Sequence, residues 1–195
     1  GVKGGGGSRV RKGSIVAEGV TSRTLSLVDS AWTAFAFGST STPVTTASTT
    51  AKKEGTASAS VKIDGDFGAG LLAAYENLDA TVDLSSIDSI QLWVRSDVGM
   101  SAGDIEIVVD DTAGCGSPLE NIDLPVLVAN TWNLVTLAIS NNSDMTAIKC
   151  VGLFIVTDSG AQSVNLDQVI AQGQATSILI TVTNTLSGEP IDVSE

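Results

Sequence analysis

Gln91, Trp93 and Arg95 alternate along "SIQLWVRS" (89–96), out of phase with Ile90, Leu92 and Val94. In a strand, that alternation puts the first three on one face and the aliphatic residues on the other. An indole between an amide and a guanidinium can stack on a pyranose ring while its neighbours hydrogen-bond to hydroxyls. Tyr75 and Trp32 could extend such a platform if folding brought them close. The same three side chains equally suit packing, against a second layer of the chain or against another protein, and packing is the preferred reading.

Catalytic chemistry has little to work with. The chain has no histidine, which removes His-based triads, His-metal clusters and the commonest general base at neutral pH. Paired carboxylates can hydrolyse glycosides, and Asp64/Asp66 and Asp110/Asp111 are the closest pairs. Adjacent strand residues point to opposite faces, so Asp110 and Asp111 would not share a site unless the strand ends between them. "GVKGGGG" lacks the preceding strand and the Lys-Ser/Thr of a phosphate loop. The chain is read as non-enzymatic. Two cysteines, Cys115 in a loop and Cys150 in a strand, are too few for a disulfide framework and read as free thiols.

Charge divides the chain. Lys3, Arg9, Arg11, Lys12 and Arg23 face Glu18 alone in the first 23 residues, a net +4, while the remaining 172 residues hold five cations and 21 carboxylates, a net −16. A body of that sign repels nucleic-acid phosphates. The basic residues Arg9, Arg11, Lys12 and Arg23 are read as arm contacts, to nucleic acid or, as the preferred reading, to an acidic protein surface, a second copy of the body included. No run of 18 apolar residues is present, so no transmembrane helix is expected.

Positioning falls to strands. Apolar residues make up 43% of the chain and aromatics only 4%, so Val, Ile, Leu and Ala must build the core. Strand-like runs recur at 56–63, 69–76, 79–84, 89–96, 104–110, 132–139, 148–156, 163–170 and 178–184, separated by turn residues. Two short runs precede them, at 23–28 and 31–37, and the polar, Pro43-containing stretch 38–55 reads as a loop. "IKCVGLFIV" (148–156) is apolar on both faces, as a central covered strand should be. Trp32 and Trp132 read as core anchors. About ten short strands without helices predict an all-β, two-sheet antiparallel sandwich of jelly-roll type over 24–173. A flexible basic arm (1–23) precedes it. A strand-competent arm (174–195) follows, which must pair on its own sheet edge or on a neighbour's.

"EGTASASVKID", "DLSSIDSIQLWVRS", "GDIEIVVDD", "ANTWNLVTLAI" and "VNLDQVI", in that order, resemble the carbohydrate-binding-module type of jelly roll, also called galactose-binding-like, over roughly 29–171. That resemblance implies a structural Ca²⁺ near Asp29, Glu54 and Asp167, where calcium would need hard oxygen ligands. Lys52 and Lys53 oppose a cation there, and solvated or strand-capping carboxylates are the preferred reading; no cofactor is required. "LWVRSDVGMSAGDIEIVVDDTAGCGSPLENIDLPVL" is also similar to jelly-roll segments of tailed-bacteriophage structural proteins. This second resemblance implies a virion-surface accessory protein: a capsid decoration, head fibre or tail component. Its partners would be other virion proteins, copies of itself and surface glycan. A virion accessory role is the leading expectation, and a glycan-binding module with Trp93 as platform is the alternative.

Overall fold

The computed structural model describes residues 11–35, 38 and 41–184, with backbone alone for 11–20 and 174–184. Among the described residues eleven strands form two antiparallel sheets, and the only helical element is a single 3-10 turn at Asn142–Asp144. The strands are β1 (Arg11–Ser26), β2 (Thr33–Ala34), β3 (Val44–Ser48), β4 (Ser58–Ile63), β5 (Leu71–Val82), β6 (Ile87–Ser96), β7 (Ile105–Asp110), β8 (Glu120–Asp123), β9 (Asn133–Ala138), β10 (Ile148–Ile155) and β11 (Gln162–Asn184). Sheet A has the order β3-β4-β11-β6-β9, with β1 also pairing β11; sheet B has the order β2-β5-β10-β7-β8. The expected all-β sandwich is what the chain forms.

Alternation builds the core between the sheets. Ala59, Val61 and Ile63 of β4, Ile90, Leu92 and Val94 of β6, and Val164 and Leu166 of β11 point inward from sheet A, all 0–1% exposed. Sheet B answers with Ala73, Ile105, Ile107, Val109, Val151, Leu153 and Ile155. Each buried Val, Leu or Ile contributes about 1.5–3 kcal/mol, which lets a core poor in aromatics hold. Trp32 is the expected anchor at 2% exposure. Trp132, just before β9, is only half-buried, so it is not the core anchor its position suggested.

Several elements differ from the sequence-based expectation. Residues 44–48 form an edge strand inside the expected loop. Pro43 sits just ahead of that strand, a place that needs no ladder donor. The two runs at 69–76 and 79–84 are one strand, β5, and β8 was not expected. Residues 11–26 form β1, which runs through the end of the expected flexible arm (1–23) into the short strand expected at 23–28. Ile15, Val16, Val20, Thr21 and Thr24 give the segment strand propensity, and β11 gives it a partner. The runs at 163–170 and 178–184 are the continuous strand β11, so the C-terminal strand pairs within its own chain.

The chain divides into two compact units, Thr21–Gln174 and a second that takes in Gly1–Val20 and Ala175–Glu195. The first contains both sheets' cores and every candidate site residue except Arg9, Arg11 and Lys12.

Candidate functional site

The site is built on the outer face of sheet A. Register places β6 between β11 and β9, with Trp93 opposite Asp167 on one side and Leu134 on the other. Arg95 lies opposite Asn165, and Gln91 opposite Ile170 and Thr136. Gln91, Trp93 and Arg95 therefore stand in line along the outer face, half-buried, as alternation predicted. Beside Trp93, Leu134 is 49% exposed.

One extra residue in β11 shapes this face. Asp167 pairs with Trp93 and Ile170 with Gln91, so three steps on β11 match two on β6. Gln168 takes up the surplus at φ 43°. This β-bulge keeps Leu166 and then Val169 inward, and leaves Asp167 facing out.

Asp167 is nevertheless fully buried, because the turn 49–57 folds over it. Its Oδ2 accepts the backbone N–H groups of Lys53 (2.6 Å) and Glu54 (3.0 Å). At the far end of the turn Asp29 Oδ1 accepts those of Thr56 (2.5 Å) and Ala57 (3.0 Å). These bonds hold the Asp29 carboxyl below its ordinary range, those from Ala57 and Thr56 being the main cause. Gly55, at φ 56°, packs against Asp29 so closely that a side chain there would collide with the carboxylate. Ser58 Oγ donates to Ala51 O (2.5 Å), and Lys52 Nζ to Gly55 O (2.8 Å).

The clamped turn carries Lys53 over the indole. Its Nζ lies 4.7 Å from the centre of the Trp93 ring, within the range of a cation–π contact. Around the ring, Arg95 Nη2 donates to Asn130 Oδ1 (2.7 Å). Gln172 Nε2 donates to Gln91 Oε1 (3.2 Å), and Gln91 Nε2 to Thr136 Oγ1 (3.1 Å). Trp93 thus leans on a turn of its own chain, a contact the sequence reading included among its alternatives.

Tyr75 does not join this face. It is on β5, in sheet B, where its ring meets Phe35 edge-on at 6.1 Å between centroids. It belongs to an apolar cluster of Leu72, Val108, Cys115, Cys150, Phe35 and Phe154 on that sheet's outer side. Cys115 and Cys150 are not free thiols. They form a disulfide, with Cα atoms 5.5 Å apart, that ties the loop 111–119 across sheet B and explains why β10 is apolar on both faces. Asp110, fully buried, holds the same loop by accepting from Thr112 N (3.1 Å), Thr112 Oγ1 (2.9 Å) and Ser117 N (2.9 Å). Burial pushes its carboxyl up, and these hydrogen bonds outweigh burial and hold it below the ordinary range. Asp64 Oδ1 accepts Asp66 N (3.0 Å) within a turn. Both carboxylate pairs thus have structural engagements.

The calcium expectation meets a mixed donor set. Glu54 is exposed and gives the turn an amide rather than a carboxylate. Among the described residues no three His, Cys, Asp or Glu side chains are gathered as a metal would need. One feature does suit a cation: Asp167 Oδ1 is buried without a hydrogen-bond partner among the described residues. A separate cleft of about 290 Å³ is lined by Leu25, Asp29, Glu76 and Asp79 among others. Burial there pushes the Glu76 carboxyl above its ordinary range, with Asp79 adding to the effect. Of the arm cations, Arg9 and the side chains of Arg11 and Lys12 lie outside the described residues, and Arg23 is exposed on β1.

No protein-family profile and no curated protein matches the chain. Among solved structures it is similar to the family 11 carbohydrate-binding module of cellulosomal cellulase Lic26A-Cel5E of Clostridium thermocellum, at 11% identity over 84% of this chain and 88% of that one, with a TM-score of 0.43. It is also similar to the family 30 carbohydrate-binding module of cellulosomal cellulase Cel9D-Cel44B of Clostridium thermocellum, at 15% identity over 77% of this chain and 96% of that one, with a TM-score of 0.47. Nothing about ligand or residue roles is carried over at these values, and nothing in these comparisons connects the chain with virion proteins.

Proposed function

We propose that the chain is a non-catalytic glycan-binding module whose contact face is the outer side of sheet A around Trp93. The observation that supports this reading is the line Gln91–Trp93–Arg95, with an exposed Leu134 beside the indole and hydrogen-bonding groups on either side. Sugars are recognised by that combination, an apolar ring for the C–H faces and convergent polar groups for the hydroxyls. The Cys115–Cys150 disulfide suits an oxidising, extracellular setting.

Attachment to a virion or to other copies through the termini has no support in the described residues. β1 and β11 pair with each other, so these strands find partners within the chain.

The test is a glycan array probed with the unaltered protein, Trp93→Ala and Tyr75→Ala. The reading expects binding to weaken by about tenfold or more in Trp93→Ala and to persist in Tyr75→Ala. Loss in Tyr75→Ala with retention in Trp93→Ala would move the site to sheet B. An array on which nothing binds would end the glycan reading.

A structural calcium ion at the turn 49–57 is proposed alongside, because the buried Asp167 Oδ1 lacks a partner among the described residues. Asp167 would be its carboxylate ligand, and its role would be to stiffen the turn that carries Lys53.

A further inference from the structure

The unit Thr21–Gln174 holds 18 carboxylates against six cations, yet its Trp93 face has the opposite character. The outward strand positions of sheet A can be read from register: Val44, Thr46 and Ser48; Ser58, Ser60 and Lys62; Ser163, Asn165, Asp167, Ile170 and Gln172; Ser89, Gln91, Trp93 and Arg95; Leu134, Thr136 and Ala138. Two carboxylates share this face: Asp167, enclosed beneath the turn, and Asp97, exposed just past β6, where its Oδ1 accepts Ser163 N (2.7 Å). Lys62 and Arg95 stand on this face, and Lys53 reaches onto it from the turn.

None of these three cations has a carboxylate partner among the described residues. Arg95 bonds the neutral Asn130, Lys53 rests on the indole, and Lys62 is exposed without a hydrogen bond or ion pair. With a threefold excess of carboxylates in the unit, leaving three cations unneutralised on one face preserves a local positive field. Such a field attracts an anion and repels nothing that is neutral.

We infer that the ligand of this face is an acidic polysaccharide, one carrying carboxylate groups on its pyranose rings. The inference rests on the glycan reading above and adds the ligand's charge. Trp93 and Leu134 would take a ring face while Lys53, Arg95 and Lys62 take carboxylates. Arg95 is the side chain that can exchange a neutral partner for a bidentate carboxylate. A neutral glucan would leave all three cations unanswered.

The experiment is isothermal titration of the full chain with polygalacturonate, alginate, a neutral mixed-linkage β-glucan and single-stranded DNA, at low and at physiological salt. Binding to polygalacturonate or alginate that exceeds binding to β-glucan and weakens with salt supports the inference. So does a loss of about fivefold for each of Lys53→Gln, Lys62→Gln and Arg95→Gln. The Lys62→Gln variant keeps the test independent of folding, because the Lys62 side chain is exposed and bonds no other side chain or backbone group among the described residues. Binding to β-glucan alone overturns the charge inference and leaves the glycan reading standing. Binding to none of the three polysaccharides overturns both. Binding to DNA as tight as to the polyuronates overturns the inference in favour of a general polyanion surface.

Discussion

The Lys53 ammonium lies 4.7 Å from the centre of the Trp93 ring, and the residue that holds it there is Asp167, the cross-strand partner of Trp93 itself. A bulge at Gln168 keeps Asp167 facing outward, its carboxylate grips the Lys53 and Glu54 amides, and the turn delivers the cation. The surroundings of the Trp93 ring are therefore set by backbone clamping forty residues away.

The Lys53–Trp93 contact is measurable as a coupling. A double-mutant cycle of Lys53→Met and Trp93→Leu, read by denaturant unfolding, is expected to give about 0.5–1 kcal/mol. A coupling of zero means the ammonium does not sit on the ring in solution.

Asp167→Asn weakens both amide bonds by removing the charge. Hydrogen bonds to charged groups contribute about 1.5–3 kcal/mol, so unfolding free energy is expected to fall by about 2 kcal/mol. With the turn loosened, Trp93 becomes wetter and its fluorescence shifts to longer wavelength. Unchanged emission would show that the turn is held by something other than Asp167.

The calcium proposal predicts a higher melting temperature in millimolar Ca²⁺ than in chelator, and no such difference in Asp167→Asn. Identical melts of the unaltered protein in both conditions would remove the ion from the account.

The Cys115–Cys150 bridge closes a 35-residue separation, for which chain entropy gives about 3–4 kcal/mol. A Cys115→Ala/Cys150→Ala protein should lose about that much stability. The native protein should show no thiol reactive to a labelling reagent under denaturing, non-reducing conditions. Two titratable thiols under those conditions would contradict the bridge.

Two buried carboxyls pull stability in opposite directions with pH. Glu76 is held above its ordinary range, so its folded form favours the proton and it opposes folding once pH rises through its folded pKa. Glu76→Gln is expected to be more stable than the unaltered protein at pH 7, with the advantage shrinking towards pH 4. Asp110 is held below its range, so its contribution is present above the unfolded pKa and is lost as pH falls through the folded one. Asp110→Asn should be less stable at pH 7 and converge on the unaltered protein in strong acid. Denaturant titrations at four pH values check both signs.

Strand alternation made the sandwich legible, because period-2 burial is written directly into runs such as "TASASVKI" and "SIQLWVRS". The line Gln91–Trp93–Arg95 was legible for the same reason. The bulge left a trace that went unread: Leu166 and Val169 are both inward but three apart, a step that a regular strand does not allow. β3 was hidden by Pro43 and by its polar threonines, which an edge strand tolerates. The placement of Tyr75 on the other sheet, the grip of Asp167 on the turn and the Cys115–Cys150 bridge depend on partners between 35 and 114 residues away, which no local pattern reports.

The central claim is that glycan meets the outer side of sheet A, and side-chain NMR addresses it directly. On titration with polygalacturonate, or with the best-bound glycan of the array, the indole N–H of Trp93 and the amides of Gln91 and Leu134 should shift together. The buried Trp32 indole and the amides flanking Tyr75 should stay in place. Shifts confined to Tyr75, Phe154 and the 111–119 loop, with Trp93 unmoved, would contradict it.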